Sequence, residues 1–274
     1  MIQNLPKLLQ RLPEKRVLVI GDVMLDHTIK GTVERISPEA PVPVLHVKEE
    51  MIALGGAANC ARNIAALGAK VTVVGITGND DYRFTLLNLM RKEGFSVDGI
   101  FADVARPTTR KTRFYAGSHH LLRHDHESLT PLSSEMERKV LDYLSMIIPQ
   151  VEYIVVSDYA KGLLTESIIR QLLSVAQQQN MNVLVDSKPE RLQLFKGAHI
   201  VTLNLKEARA FANMKGTDQN AHSEIALYIA NQMKSNVVIT RGGEGMTVCT
   251  LQGEVVHIPT KKQEVIDTTG VGDT

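Results

Sequence analysis

Cysteine is nearly missing from this 274-residue chain, and the two that occur, Cys60 and Cys249, match no metal or redox spacing. That excludes a thiolate metal site or redox pair, suits a reducing compartment, and leaves both as small buried residues. A charge excess of either sign is missing too. Lys and Arg number 31 against 30 Asp and Glu, a formal net charge of +1, and the basic residues are scattered, so there is no electrostatic footprint for nucleic acid. No apolar run approaches the roughly 20 residues of a membrane-spanning helix, and the N-terminal stretch lacks a small-residue cleavage site. The expectation is a cytoplasmic protein with neither membrane nor nucleic acid as partner. Two nucleotide fingerprints are absent as well. GxxxxGK[ST] occurs nowhere, which excludes a P-loop, and VLVIGDVMLDH offers one glycine where a Rossmann site needs three.

What is present is an ordinary globular composition, 43% hydrophobic and 22% charged, read as one large domain over 1–274. Short β-branched runs (16–20, 70–74, 152–157, 182–186, 199–204, 236–241) alternate with helical patterns (58–67, 82–93, 134–147, 166–179, 221–234). This alternation predicts an α/β fold, a doubly wound, mostly parallel sheet with helices on both faces. Segments of about 28–50 and 108–127 break the pattern with extended, partly alternating sequence. They read as a small antiparallel β flap, a lid over a pocket.

Open parallel sheets bind ligands beyond the carboxyl ends of their strands, and there the sequence places GD (21–22), SDYAKG (157–162), DSKPE (186–190), NLKE (204–207) and TRGGEG (240–245). In LGGAANCARNIAALG (54–68), Gly55 and Gly56 let backbone approach a ligand and Asn59 faces the same pocket; equally, the segment reads as a helix start packed by small residues. DTTGVGDT (267–274) aligns the N–H groups of Gly270, Val271 and Gly272 into an anion cradle with Asp273 as a proton acceptor, although an isolated GxGD is also an ordinary turn. SHHLLRHDH (118–126) puts His120, His124 and His126 on one face of an extended strand and His119 on the other, which reads as a polar lid strand more simply than as a metal site.

Gly55, Gly56, Asn59, Ala61, Gly68 and Gly78 together with Asp267, Thr268, Gly270, Gly272 and Asp273 resemble the two signatures of the ribokinase-like, or PfkB, carbohydrate kinases. Val271 departs from that family's alanine, in a cradle where backbone does the work. Asn204 with Glu207, and Thr240, Gly242 and Gly245, match the family's Asn-x-x-Glu and T-x-G-x-x-G motifs. GDVMLD (21–26), RISPEAPVPV (35–44), 54–69 and 157–162 are similar, more narrowly, to the bacterial heptose 7-phosphate kinases, often fused to a C-terminal adenylyltransferase domain, a fusion the resemblance implies as an expectation for the native protein. Those kinases continue for several more helices, so the chain reads as truncated at its C-terminus.

The resemblance implies ATP and Mg²⁺ as cofactors, a phosphosugar substrate and a homodimer through the lid. Asp26 would accept from a sugar hydroxyl, Gly55, Gly56, Asn59 and Asp158 would complete the sugar wall, and Asp273 would be the base. Asn204 and Glu207 would order magnesium, mostly through water, and Thr240, Gly242, Gly245 and Lys188 would flank the nucleotide. Arg113, Arg123 and Lys161 are the candidate cations for the substrate's own phosphate. Other phosphosugars, an unphosphorylated sugar, or sugar binding without transfer stay open.

Overall fold

The computed structural model describes Lys7 and residues 9–215 and 219–260. In chain order the elements are β1 (Arg16–Gly21), β2 (Val23–Ile36), β3 (Pro43–Gly56), α1 (Ala57–Ala66), β4 (Lys70–Thr77), α2 (Asp81–Lys92), β5 (Ile100–Ala102), β6 (Arg110–Ala116) and β7 (His119–His126). There follow α3 (Ser134–Ile147), β8 (Tyr153–Asp158), α4 (Glu166–Gln178), β9 (Asn182–Ser187), β10 (Ile200–Asn204), α5 (Leu205–Ala212), α6 (Gln219–Met233), β11 (Asn236–Thr240), β12 (Met246–Cys249) and β13 (Val255–Ile258). Short polar side chains start the helices. Asp80, Ser133 and Thr165 each accept the N–H three residues on, satisfying a donor that the first turn leaves free.

Among the described residues the large sheet runs β13-β12-β11-β10-β9-β8-β1-β4-β5, parallel from β11 through β5, with β12 and β13 antiparallel at one end. Its central strands are apolar on both faces, as a doubly covered sheet requires. Leu18 and Ile20 of β1 join a core built with Val140, Leu144, Ile168 and Ile229 of the helices. Val17 and Val19, pointing the other way, pack with Ala57 and Ala61 of α1 and Leu86 and Met90 of α2. At about 25 cal/mol per Å² of apolar surface removed from water, these two layers are the main stabilising contribution.

The lid is a second sheet, ordered β3-β2-β6-β7. Two antiparallel hairpins, β2–β3 and β6–β7, join through parallel pairing of β2 with β6. It rises from the carboxyl end of β1, mid-sheet, and not from an outer strand. Only Asp22 separates β1 from β2. One expectation for β7 needs correction. A register shift at Phe114/Tyr115 pairs His120 with Tyr115 while Thr112 still pairs with His124, so His120 does not share a face with His124 and His126. His120 stacks on Tyr115 at 4.9 Å, and no group of three or more His, Cys, Asp or Glu among the described residues is placed to hold a metal.

Candidate active site

Strand alternation gives the lid two different faces. Leu25 and Leu54 turn inward to the core beside α1 and α2, and His27 on the same side bonds to Glu50 at 2.6 Å. Asp26, one residue on from Leu25, therefore faces the opposite way, as do its register partner Lys111, Arg113 two residues further, and their β7 partners Asp125 and Arg123. This charged face looks onto the carboxyl ends of the large sheet. The Lys111 ammonium lies 5.4 Å from the centre of the Tyr159 ring, just beyond β8. Lys161 Nζ reaches Glu127 Oε1 at 2.6 Å, just beyond β7.

Asp26 accepts a hydrogen bond from Arg113 at 2.5 Å, and a Cβ on Gly55 would collide with the Asp26 carboxylate. Gly55 thus makes room first for a protein carboxylate. Gly56 has φ +55°, a conformation that favours glycine, and a Cβ there would strike the Asp22 carbonyl oxygen. Asn59 is buried at the start of α1, where its side-chain oxygen accepts from Arg62 at 2.7 Å.

Asp158 ends β8 with its carboxylate enclosed, accepting from Ser187 Oγ at 2.9 Å, Arg191 Nε at 2.7 Å and the Ala160 N–H at 3.0 Å. Asp22 Oδ2 takes the N–H groups of Tyr159 at 2.8 Å and Lys161 at 3.1 Å, while Oδ1 is buried without a hydrogen-bond partner among the described residues. Burial, reinforced by the charge of Asp158, raises this carboxyl from 3.8 to about 6.

On the other half, Asn204 and Thr240 are register partners at the ends of β10 and β11. Asn204 caps α5 in a reciprocal box: its side chain accepts the Glu207 N–H at 2.9 Å, and Glu207 Oε2 accepts the Asn204 N–H at 3.1 Å. Glu207 Oε1 also takes Lys188 Nζ at 2.9 Å. Gly242 and Gly245 hold the loop after β11 at positive φ, closed by the Arg241 N–H on the Gly245 carbonyl at 2.8 Å. The Lys188 ammonium stands 5.5 Å from the centre of the Tyr159 ring, so one ring links the two halves.

The structure therefore brings Asp26, Gly55, Gly56, Asn59, Asp158, Lys161 and Arg113 to one end of this edge, and Lys188, Asn204, Glu207, Thr240, Gly242 and Gly245 to the other. Arg123, more than half exposed, lies on the lid paired with Asp125. Gly270, Val271, Gly272 and Asp273 lie outside the described residues, as do Asp267 and Thr268. Two residues were missed by sequence reasoning. Arg106 ties three loops, donating to Asp103 Oδ2 at 3.0 Å and to the carbonyls of Lys161 and Thr130 at 2.9 Å each. Lys111 is the other.

A model of pfkB family carbohydrate kinases matches residues 14–274. The chain belongs to the pfkB family. Among curated pfkB relatives, the bifunctional protein HldE of Trichlorobacter lovleyi is 40% identical over 268 residues, covering 97% of this chain and 55% of that protein. HldE of Geobacter sulfurreducens is 41% identical over 260 residues, covering 94% and 53%. The chain spans about half the length of the curated relatives it matches. Among solved structures, the tetrameric inhibited form of phosphofructokinase-2 from Escherichia coli superposes with TM-score 0.74 at 21% identity, over 94% of this chain and 84% of that one. A carbohydrate kinase from Agrobacterium tumefaciens gives TM-score 0.69 at 21% identity, over 94% and 80%. The pfkB architecture, large sheet plus lid, is shared. Among the described residues no helix is long and apolar enough to cross a membrane.

Proposed function

We propose that this chain transfers the γ-phosphoryl group of ATP to the anomeric oxygen of D-glycero-β-D-manno-heptose 7-phosphate, giving the 1,7-bisphosphate on the route to ADP-heptose and lipopolysaccharide core. One observation carries the reading: a lid face bearing Asp26 among lysine and arginine side chains is turned onto the strand ends of a pfkB sheet. A sugar with an anionic arm needs both, a carboxylate for its hydroxyls and cations for its phosphate. The heptose-kinase resemblance of residues 21–26, 35–44, 54–69 and 157–162 supports the choice of sugar.

In this reading Asp26 accepts a sugar hydroxyl, Gly55, Gly56 and Asn59 form the wall, and Asp158 supports it. Asp273 takes the proton of the anomeric hydroxyl as the O1–phosphorus bond forms and the bond to the β,γ-bridging oxygen breaks, releasing ADP. N–H groups of residues 270–273 donate to the moving phosphoryl oxygens. Lys188, Asn204, Glu207, Thr240, Gly242 and Gly245 flank the nucleotide. Glu207 fits a magnesium held through water better than direct ligation, because its two oxygens already accept from Lys188 and the Asn204 N–H. Mg²⁺, when bound, offsets phosphate charge. The same reading extends to a cytoplasmic homodimer paired through the lid, where Ile36, Val42, Val47 and Met51 are exposed.

ADP release by the full-length protein, measured across heptose 7-phosphate, fructose and tagatose phosphates and unphosphorylated sugars, tests the substrate. Highest kcat/KM on the heptose phosphate is expected, and failure on every sugar would leave a binding protein. Asp273→Asn should lower turnover about 10²- to 10⁴-fold with sugar binding nearly intact. Unchanged turnover refutes the base.

A further inference from the structure

Among the described residues, the cations of this lid face and of the strand ends facing it pair with carboxylates, with one left over. Arg113 holds Asp26, Arg123 holds Asp125 at 2.9 and 3.0 Å, Lys161 holds Glu127 and Lys188 holds Glu207. Lys111 sits among them, register partner of both Asp26 and Asp125, yet no carboxylate pairs with it among the described residues. It is also half-buried. Burial and then the nearby charge of Lys161 hold its pKa below the ordinary lysine value. The Tyr159 ring at 5.4 Å does not offset this. A cation over an aromatic face gains less than an ammonium loses on leaving water. Glu127 and Asp125 oppose this only in part and from beyond ion-pair contact, so this cation, one strand from Asp26, is matched to a counter-charge that arrives with a ligand.

We infer that Lys111 binds the phosphate arm of the phosphosugar substrate and thereby sets the preference for a phosphorylated over an unphosphorylated sugar, with Arg113, Arg123 and Lys161 chiefly positioning carboxylates. The inference rests on the phosphosugar-kinase reading above. An anion placed over Tyr159 meets the Lys111 ammonium without displacing a protein carboxylate, whereas reaching Arg113, Arg123 or Lys161 means competing with Asp26, Asp125 or Glu127.

The test is steady-state kinetics of full-length wild type, Lys111→Met and Lys111→Arg on heptose 7-phosphate, with both KM values and kcat. Expected for Lys111→Met is a 10- to 100-fold rise in KM for the phosphosugar, a fall in kcat under about threefold and an unchanged KM for ATP. Lys111→Arg should recover most of the loss, because charge is retained. An unchanged phosphosugar KM overturns the assignment. So does a parallel rise in both KM values that arginine fails to rescue, since that marks a merely structural lysine. A wild type that phosphorylates no phosphosugar sinks the underlying reading, and the inference with it. An active wild type indifferent to Lys111 sinks the inference alone.

Discussion

Arg113 on β6 and Asp26 on β2 meet at 2.5 Å across the parallel seam of the lid, so each fixes the other's position on the face turned to the site. Asp26→Ala should lower kcat/KM for the sugar about 10²-fold and Arg113→Ala about 10-fold. The double variant should be no worse than Asp26→Ala within about threefold, because Arg113 acts through its partner. Simple multiplication of the two losses in a double-mutant cycle would show that they work independently.

Gly55 separates site geometry from folding. A methyl group there occupies the space of the Asp26 carboxylate. Gly55→Ala should cost about 10²-fold in kcat/KM, the scale of an ångström's misplacement, with little change in melting temperature. Full activity would mean that the sugar does not use Asp26 where it stands.

The buried Asp22 carboxyl makes a signed pH prediction. Its folded pKa of about 6 lies above the ordinary 3.8, so the folded state holds the proton more tightly. Its contribution to stability is complete below about pH 4 and is lost as pH rises through about 6, on the order of 3 kcal/mol in all. Urea unfolding of wild type and Asp22→Asn between pH 4 and 7 should show the variant gaining relative to wild type over that window. A difference independent of pH contradicts this.

Arg191 is the cationic partner of Asp158, whose side chain is 1% exposed. Arg191→Ala should destabilise by about 3–5 kcal/mol by stranding a buried charge, and adding Asp158→Asn should restore part of it. A loss under about 1 kcal/mol in denaturant melts would show that Ser187 and the Ala160 N–H suffice.

Much of the fold was legible because buried parallel strands and amphipathic helices carry their periods in short windows. RVLVI and NVVITR became β1 and β11, and 134–147 became α3 with the same bounds. α5 went unread. Asn204 and Glu207 drew attention as a nucleotide motif, yet the same Asn-x-x-Glu spacing is a capping box, a start signal present in the sequence. The shifted register of β7 depends on its partner strand and has no local signature. Lys111 was illegible for a related reason. Nothing marks one lysine in RKTR, and only the folded arrangement shows that Arg113, Arg123 and Lys161 have each taken the nearby acids. Arg106 likewise gains its purpose from loops that are distant along the chain.

Because β1 runs into β2 across Asp22 alone, the reach from the core to the Asp26 carboxylate on the lid face is a measured length of extended chain with no slack. Inserting or deleting one residue between positions 21 and 26 would exchange inward and outward faces, sending Asp26 into the apolar layer and presenting Leu25 or His27 to the substrate. Over this stretch the protein should accept many changes of side chain and almost none of spacing.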